Sequence, residues 1–179
     1  MDPRIERAAA GDREAAQAVL TELQPRVRNL VRYLIRGDRD VEDLTQHALI
    51  DILRGLPSYR GDAPLKRWAD RVTVRSTLSR IKRRRAQDAR QAELSTQLHA
   101  VPPAEDGTRY LARRELAQRL DTLPEQQRQA LVLHYLLELT VPEVAETLQV
   151  PFDTAKSRIR LAMQKLRQAH AAQGGGQHA

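Results

Sequence analysis

Apolar residues recur three and four positions apart over much of this chain, and nowhere do β-branched residues alternate with polar ones over a useful length. Asp12 precedes Ala15, Ala16, Val19, Leu20 and Leu23, an N-cap ahead of an amphipathic helix. Val27, Leu30, Val31, Leu34 and Ile35 carry the stripe past Pro25, which predicts a kink or a division, and Arg36-Gly37-Asp38 stops it. Asp40 is the expected cap of the next helix, with Asp43 three residues on and Leu44, Ala48, Leu49, Ile52, Leu53 and Leu56 along one face until Pro57. After the loop Ser58-Tyr59-Arg60-Gly61-Asp62, Pro64 opens a long helix bearing Leu65, Trp68, Ala69, Val72, Leu78 and Ile81, which runs into Lys82-Arg83-Arg84-Arg85.

The periodicity weakens between Gln87 and Gly107, where Pro102-Pro103-Ala104-Glu105-Asp106-Gly107 reads as an exposed linker. Beyond it, Leu111, Leu116 and Leu120 mark one helix, and Leu123-Pro124-Glu125 opens another with Ala130, Leu131, Leu133, Leu136 and Leu137. Two short helices follow, at 141–148 and 152–167, separated by Gln149-Val150-Pro151. The pattern predicts an all-α chain of two small domains, residues 1–86 and 111–170, with a linker over 87–110 and a flexible tail over 171–179.

Composition narrows the function. The 179 residues hold 30 Lys and Arg against 23 Asp and Glu, a formal charge of +7, which favours a polyanionic partner. With no cysteine there is no disulfide, thiolate metal cage or cysteine nucleophile, and the five His have no ligand spacing. Neither a cofactor nor a small-molecule substrate is expected. No stretch approaches the roughly 18 apolar residues of a membrane span, and Met1-Asp2-Pro3-Arg4 leads into charged sequence without a signal-peptide core, so a cytoplasmic location is expected.

Three surfaces carry the candidate chemistry. The last two helices have helix-turn-helix spacing, and Thr154, Lys156, Ser157, Arg158 and Arg160 on the second suit phosphate oxygens and base edges. Arg67, Arg71, Arg75 and Arg80 recur near helical spacing, in a stretch from Arg60 to Arg90 with eleven Lys or Arg against three Asp. Asp38, Asp40, Glu42, Asp43 and Asp51 form an acidic patch. Capping accounts for Asp40 and Asp43, whereas Glu42 and Asp51 call for a cationic protein partner. No Glu-x-x-His pair or glycine-rich phosphate loop accompanies these carboxylates, so no catalytic residue and no metal ligand is assigned.

Asp40-Val-Glu-Asp-Leu-Thr-Gln46, then Tyr59-Arg-Gly-Asp62, Trp68 and the Arg run, resembles region 2 of the extracytoplasmic-function (ECF) sigma factors of bacterial RNA polymerase. Leu123-Pro-Glu-Gln-Gln-Arg128 through Lys156-Ser-Arg158 resembles their region 4, and the central region 3 of larger sigma factors is missing. The resemblance implies an alternative sigma factor that is not an enzyme and that directs promoter-specific initiation. It implies that Asp40, Glu42, Asp43 and Gln46 dock on the β′ clamp coiled coil. Ser58, Tyr59, Arg60, Gly61, Asp62, Trp68, Arg71 and Arg75 would meet the −10 element and help to open it. Thr154, Lys156, Ser157, Arg158 and Arg160 would read the −35 element while the preceding helices rest on the β flap. The linker would run toward the RNA exit path, and an anti-sigma factor would hold the protein inactive.

The chain departs from the family pattern at several positions. His47-Ala48 stands where Glu and a β-branched or small residue are usual, Asp70 where an aromatic or aliphatic residue is common, and Arg75 where Asn is frequent. In Arg160-Leu161-Ala162 the Arg is displaced by one position, about 100° around the helix. The rival reading is a free-standing helix-turn-helix repressor or activator, against which the acidic helix and the two separate basic surfaces argue.

Overall fold

The computed structural model describes residues 2–88 and 107–174, which are helical throughout apart from turns, with no strand among them. They fall into two compact units, one of residues 2–32 and 37–88, the other of 107–174 with 33–36.

The first unit opens with a helix that the hydrophobic pattern does not announce, α1 over Pro3–Ala9. Its start is nonetheless written in the sequence: Asp2 accepts from the Arg4 amide at 2.9 Å, and Pro3 occupies the first turn, where it loses no helical hydrogen bond. Gly11, at φ +95°, turns the chain into α2, Arg13–Leu34, and Asp12 caps it as expected by accepting from the Ala15 amide at 3.0 Å. Pro25 does not divide this helix. It lies exposed between buried Leu23 and buried Val27, so the carbonyl it deprives of a donor is on the solvent side while the apolar stripe continues inside.

Helix α3, Val41–Gly55, buries Val41, Leu44, Thr45, Ala48 and Ile52, and a 3-10 turn over Leu56–Ser58 follows. Asp40 precedes it but makes no side-chain cap, contrary to expectation. Its carboxylate meets Arg84 at 2.7 Å instead, a charged partner in place of a backbone donor. Helix α4, Leu65–Asp88, starts on the Pro64 carbonyl, which accepts from the Arg67 and Trp68 amides. From Ala69 to Thr77 every residue is buried except Arg71 and Arg75. Over that stretch the helix is the centre of its unit and shows solvent a single narrow stripe. Asp40 facing Arg84, and Asp51 accepting from Ser76 at 2.6 Å, set α3 and α4 antiparallel.

In the second unit, α5 spans Gly107–Asp121, α6 Glu125–Tyr135, α7 Val141–Leu148 and α8 Phe152–Gly174. The expected apolar face of α5 is displaced: Ala117 and Leu120 are buried, whereas Leu111 and Leu116 are exposed. Helix α6 is the central one, buried over all of Arg128–Leu133. Thr140 and Glu143 form a capping box on α7, and Gln149, left-handed at φ 55°, ends it, so that only Val150 and Pro151 remain before α8. Ala155, Ile159 and Ala162 are buried positions of α8, and Val144 and Ala145 are buried on α7. Small residues on α8 let the helices approach closely, which the helix-turn-helix geometry needs.

Helices enter the expected linker and tail. α4 continues to Asp88, α5 begins at Gly107 and α8 reaches Gly174; Pro102 to Asp106, and Gly175 and Gly176 of the tail, lie outside the described residues.

Candidate nucleic-acid and partner interfaces

On α3 the expected acidic surface separates into two sets. Glu42 pairs with Arg28 of α2 at 2.6 Å, Asp38 with Arg32 at 2.5 Å, Asp40 with Arg84, and Asp51 accepts from Ser76. These internal partners supply what Glu42 and Asp51 called for, so neither residue needs an external cation. Asp43 and Gln46 stay on the exposed face. Beside them lie two large apolar residues in solvent, Ile50 at 43% exposure and Leu53 at 38%. Leu53 was expected in the core; the buried stripe instead runs through Leu44, Ala48 and Ile52 and leaves it on the other side. Asp43, Gln46, Ile50 and Leu53 repeat at helical spacing and make one mixed stripe.

The loop after α3 is held from within. Ser58 donates its hydroxyl to the Gly55 carbonyl at 2.7 Å, and Tyr59 donates to the Ala63 carbonyl at 2.6 Å, closing the loop over Arg60, Gly61 and Asp62. Those three residues are exposed, with Gly61 at φ +81°. Trp68, half-buried, lies 5.2 Å from the Tyr59 ring between centroids. Gly55 lies beneath it, and a Cβ there would sit 3.0 Å from the indole, so the ring would have to give by a few tenths of an ångström. Trp68 is thus the anchor of the loop, and Arg60, Gly61 and Asp62 are its free rim.

Arg67, Arg71 and Arg75 line the exposed stripe of α4. Between them Asp70 turns the other way and receives Arg26 of α2 through two hydrogen bonds, at 2.7 and 2.6 Å. The departure at Asp70 therefore has a structural reason: the carboxylate, 7% exposed, joins α4 to α2. The hydrogen bonds from Asp70 hold the Arg26 guanidinium above its ordinary pKa, burial opposing them in part.

On α8, Lys156 and Arg160 are exposed, while Thr154, Ser157 and Arg158 are half-buried. Ser157 donates back to the Thr154 carbonyl at 2.9 Å, and Arg158 reaches Gln126 of α6 at 2.7 Å. Two of the five expected reading groups are therefore engaged locally. Lys156 and Arg160 also flank an open groove walled by Tyr135, Val141, Ile159 and Met163. Among the described residues no three His, Cys, Asp or Glu converge as a metal site, and no helix is long and apolar enough to cross a membrane.

The sequence signal for Ile50 and Leu53 was present but ambiguous, and the Arg26–Asp70 bridge left none. Apolar residues on two faces of a helix do not say which face is covered, and an Arg and an Asp 44 residues apart show no local pattern.

These features accord with comparisons to known proteins. Residues 19–87 match the Sigma-70 region 2 family and residues 113–166 the Sigma-70 region 4 family. The chain is 31% identical over 166 residues to the ECF RNA polymerase sigma-E factor of Escherichia coli K12, covering 87% of this chain and 86% of that protein. It is 27% identical over 175 residues to the RNA polymerase sigma-H factor of Pseudomonas aeruginosa, covering 92% and 91%. Its fold resembles that of the sigma factor RpoE of Bartonella quintana, solved in complex with the anti-sigma factor NepR, with a TM-score of 0.59 and 21% identity over 85% of this chain and 94% of that one. The reading as a free-standing repressor is not favoured, because the region 2 match takes in all of α3 and nearly all of α4. The chain belongs to the ECF family of RNA polymerase sigma factors.

Proposed function

We propose that this alternative sigma factor, which directs transcription initiation, divides the work among three of its surfaces. The α3 stripe of Asp43, Gln46, Ile50 and Leu53 docks on a cationic element of the polymerase core, the β′ clamp coiled coil. Arg71 and Arg75, with the Arg60–Asp62 rim, meet the −10 element, and Tyr59 and Trp68 hold that rim in place. Lys156 and Arg160 contact the −35 element, with Thr154, Ser157 and Arg158 nearer the base of the helix. An anti-sigma factor that covered the α3 stripe would keep the protein from the core in the cytoplasm.

The observation that carries this reading is the α3 stripe itself. Two exposed aliphatic side chains next to a carboxylate and an amide suit a protein partner, since nucleic acid offers no cation to Asp43 and little apolar surface to Ile50 and Leu53. Asp40 and Glu42 contribute less to docking than their sequence suggests, because each is held by an arginine of its own unit.

Run-off transcription with purified core polymerase and a supercoiled promoter library tests the assignment. Start sites should appear with the wild type and fade with Asp43→Ala/Ile50→Ala, whose affinity for the core should fall about tenfold. Glu42→Ala should lower stability more than affinity. Lys156→Ala and Arg160→Ala should each reduce the salt slope of promoter binding, by about 0.9 for every phosphate left without its cation. Binding to a defined duplex as a dimer, with no polymerase-dependent start sites, would overturn it.

A further inference from the structure

Helix α1 precedes the stretch that matches region 2, and its 7 residues are too few to hold a helix unaided. Asp2 caps its start, and Ile5 and Ala8, three positions apart and so on one face, are buried. The helix packs on the 3-10 turn Leu56–Ser58, whose own buried residue is Leu56.

That turn leads into the loop bearing the Arg60–Asp62 rim. The Leu56 carbonyl accepts from the Tyr59 amide at 3.0 Å, and the Tyr59 ring lies against Trp68, so a shift of Leu56 passes through one backbone hydrogen bond to the anchor of the loop. The other end of the loop is tied as well. Glu22 of α2 lies 3.6 Å from Arg4 of α1 and 3.4 Å from Lys66, in the first turn of α4. Helix α1 therefore bears on both ends of the loop, by apolar packing at its start and by an exposed, weak ion-pair relay at its end.

We propose that α1 is a positioning element for the Arg60–Asp62 rim, with Ile5 as its positioning residue, acting through Leu56 and Tyr59. The proposal rests on the reading of that rim as a −10 contact, and adds that its place is set from outside the loop, by the segment before α2. The hydrogen bonds of Ser58 and Tyr59 keep the shape of the loop. The α1 packing keeps its place relative to Arg71 and Arg75, which meet the same DNA. A strand that must engage the rim and those arginines together is sensitive to a small displacement, so loss of the packing slows promoter opening and spares binding to the core.

Trp68 is the single tryptophan of the chain, so its fluorescence reports on the loop. Acrylamide quenching is measured on the full chain for wild type, Ile5→Ala, Ile5→Val, Glu22→Gln and Val41→Ala, with circular dichroism to verify folding. Val41, 1% exposed, lies at the opposite end of α3, about 20 Å from the turn, and controls for lost packing in general. The same variants and Arg60→Ala/Asp62→Ala are then assembled with saturating core polymerase, and opening is followed by a fluorescent adenine analogue in the −10 element of a promoter recovered in the run-off assay. Ile5→Ala should make Trp68 markedly easier to quench and slow opening about tenfold. Ile5→Val, which removes one methyl group, should change both in the same direction but less, and carries the comparison if Ile5→Ala does not fold. Glu22→Gln should alter either by less than about twofold, and Val41→Ala should match the wild type. Wild-type quenching or wild-type opening in the Ile5 variants, or equal slowing by Val41→Ala, overturns the proposal; if Arg60→Ala/Asp62→Ala is then still slow, the −10 reading of the rim survives alone. If the Ile5 variants change the quenching but neither they nor Arg60→Ala/Asp62→Ala slow opening, that reading fails and the proposal with it.

Discussion

The two units place their charges differently. In the first, arginines and carboxylates cross from helix to helix: Arg26 to Asp70, Arg28 to Glu42, Arg84 to Asp40, with Ser76 on Asp51. In the second, the buried faces of α6, α7 and α8 are mostly small and aliphatic, Ala130 to Leu133, Val144 and Ala145, Ala155, Ile159 and Ala162, and Lys156 and Arg160 are left in solvent. A charged side chain in the first unit is therefore weak evidence of an external partner until its internal partner has been sought. In the second unit exposure and charge go together, and the sequence is a better guide to what faces outward.

One residue breaks this division, and it should give the largest effect. Arg128 of α6 is 1% exposed and pairs at 2.9 Å with Asp121, which is 23% exposed, a part-buried ion pair in a mostly aliphatic unit. Arg128→Ala opens a cavity and leaves Asp121 without that partner, which should cost about 3 kcal/mol. Urea unfolding followed by hydrogen exchange should place the loss in α6 to α8 and leave α2 to α4 unchanged. A loss below about 1 kcal/mol would mean that the pair is incidental to the packing.

The Arg26–Asp70 bridge tests the same comparison within the first unit. Arg26→Ala strands a nearly buried carboxylate, and because the arginine is itself half-exposed the cost should be smaller, about 2 kcal/mol. Arg26→Ala/Asp70→Leu, which restores an aliphatic residue at the position where the family commonly has one, should recover most of it, since the unpaired charge is then gone. The two denaturant midpoints decide. Equal losses in the single and double variants would assign the cost to α2 packing and not to the carboxylate.

Much of this was legible in the sequence. The all-α class, the helix-turn-helix and the long basic helix follow from periodicity and turn residues, which act over a few positions. Arg71 and Arg75 could be nominated from spacing alone, and both lie on the exposed stripe of α4. What was not legible depends on residues distant in the chain. Pro25 was expected to kink or divide α2 because the cost of proline is local, whereas the burial of Leu23 and Val27 that sustains the helix is tertiary. Asp40 had the residue type and place of a cap, but Arg84, 44 positions away, took its carboxylate. Leu111 and Leu116 fit a helical stripe, yet Ala117 and Leu120 form the buried face, because hydrophobicity does not tell which neighbour is present.

Asp12 and Asp40 offer the smallest and most local contrast, between a carboxylate that caps its helix and one that does not. Asp12 lies below the usual carboxylate pKa range, first through the hydrogen bond from the Ala15 amide and then through Arg7. A depressed folded pKa means that its stabilisation is fully present above the unfolded value, about 4, and is lost as pH falls through the folded one. Between pH 6 and pH 3 the amides of Glu14 and Ala15 should therefore lose protection relative to the middle of α2, after correction for intrinsic exchange. In Asp12→Asn, whose amide oxygen accepts without titrating, that pH dependence should vanish. Asp40→Asn should leave the first amides of α3 unaltered at either pH, because no cap hydrogen bond depends on it. If Asp12→Asn retained the wild-type profile, fraying of α1 and not the cap would be the titrating event. If Asp40→Asn exposed the first turn of α3, its pairing with Arg84 would be holding the helix start as firmly as a cap does.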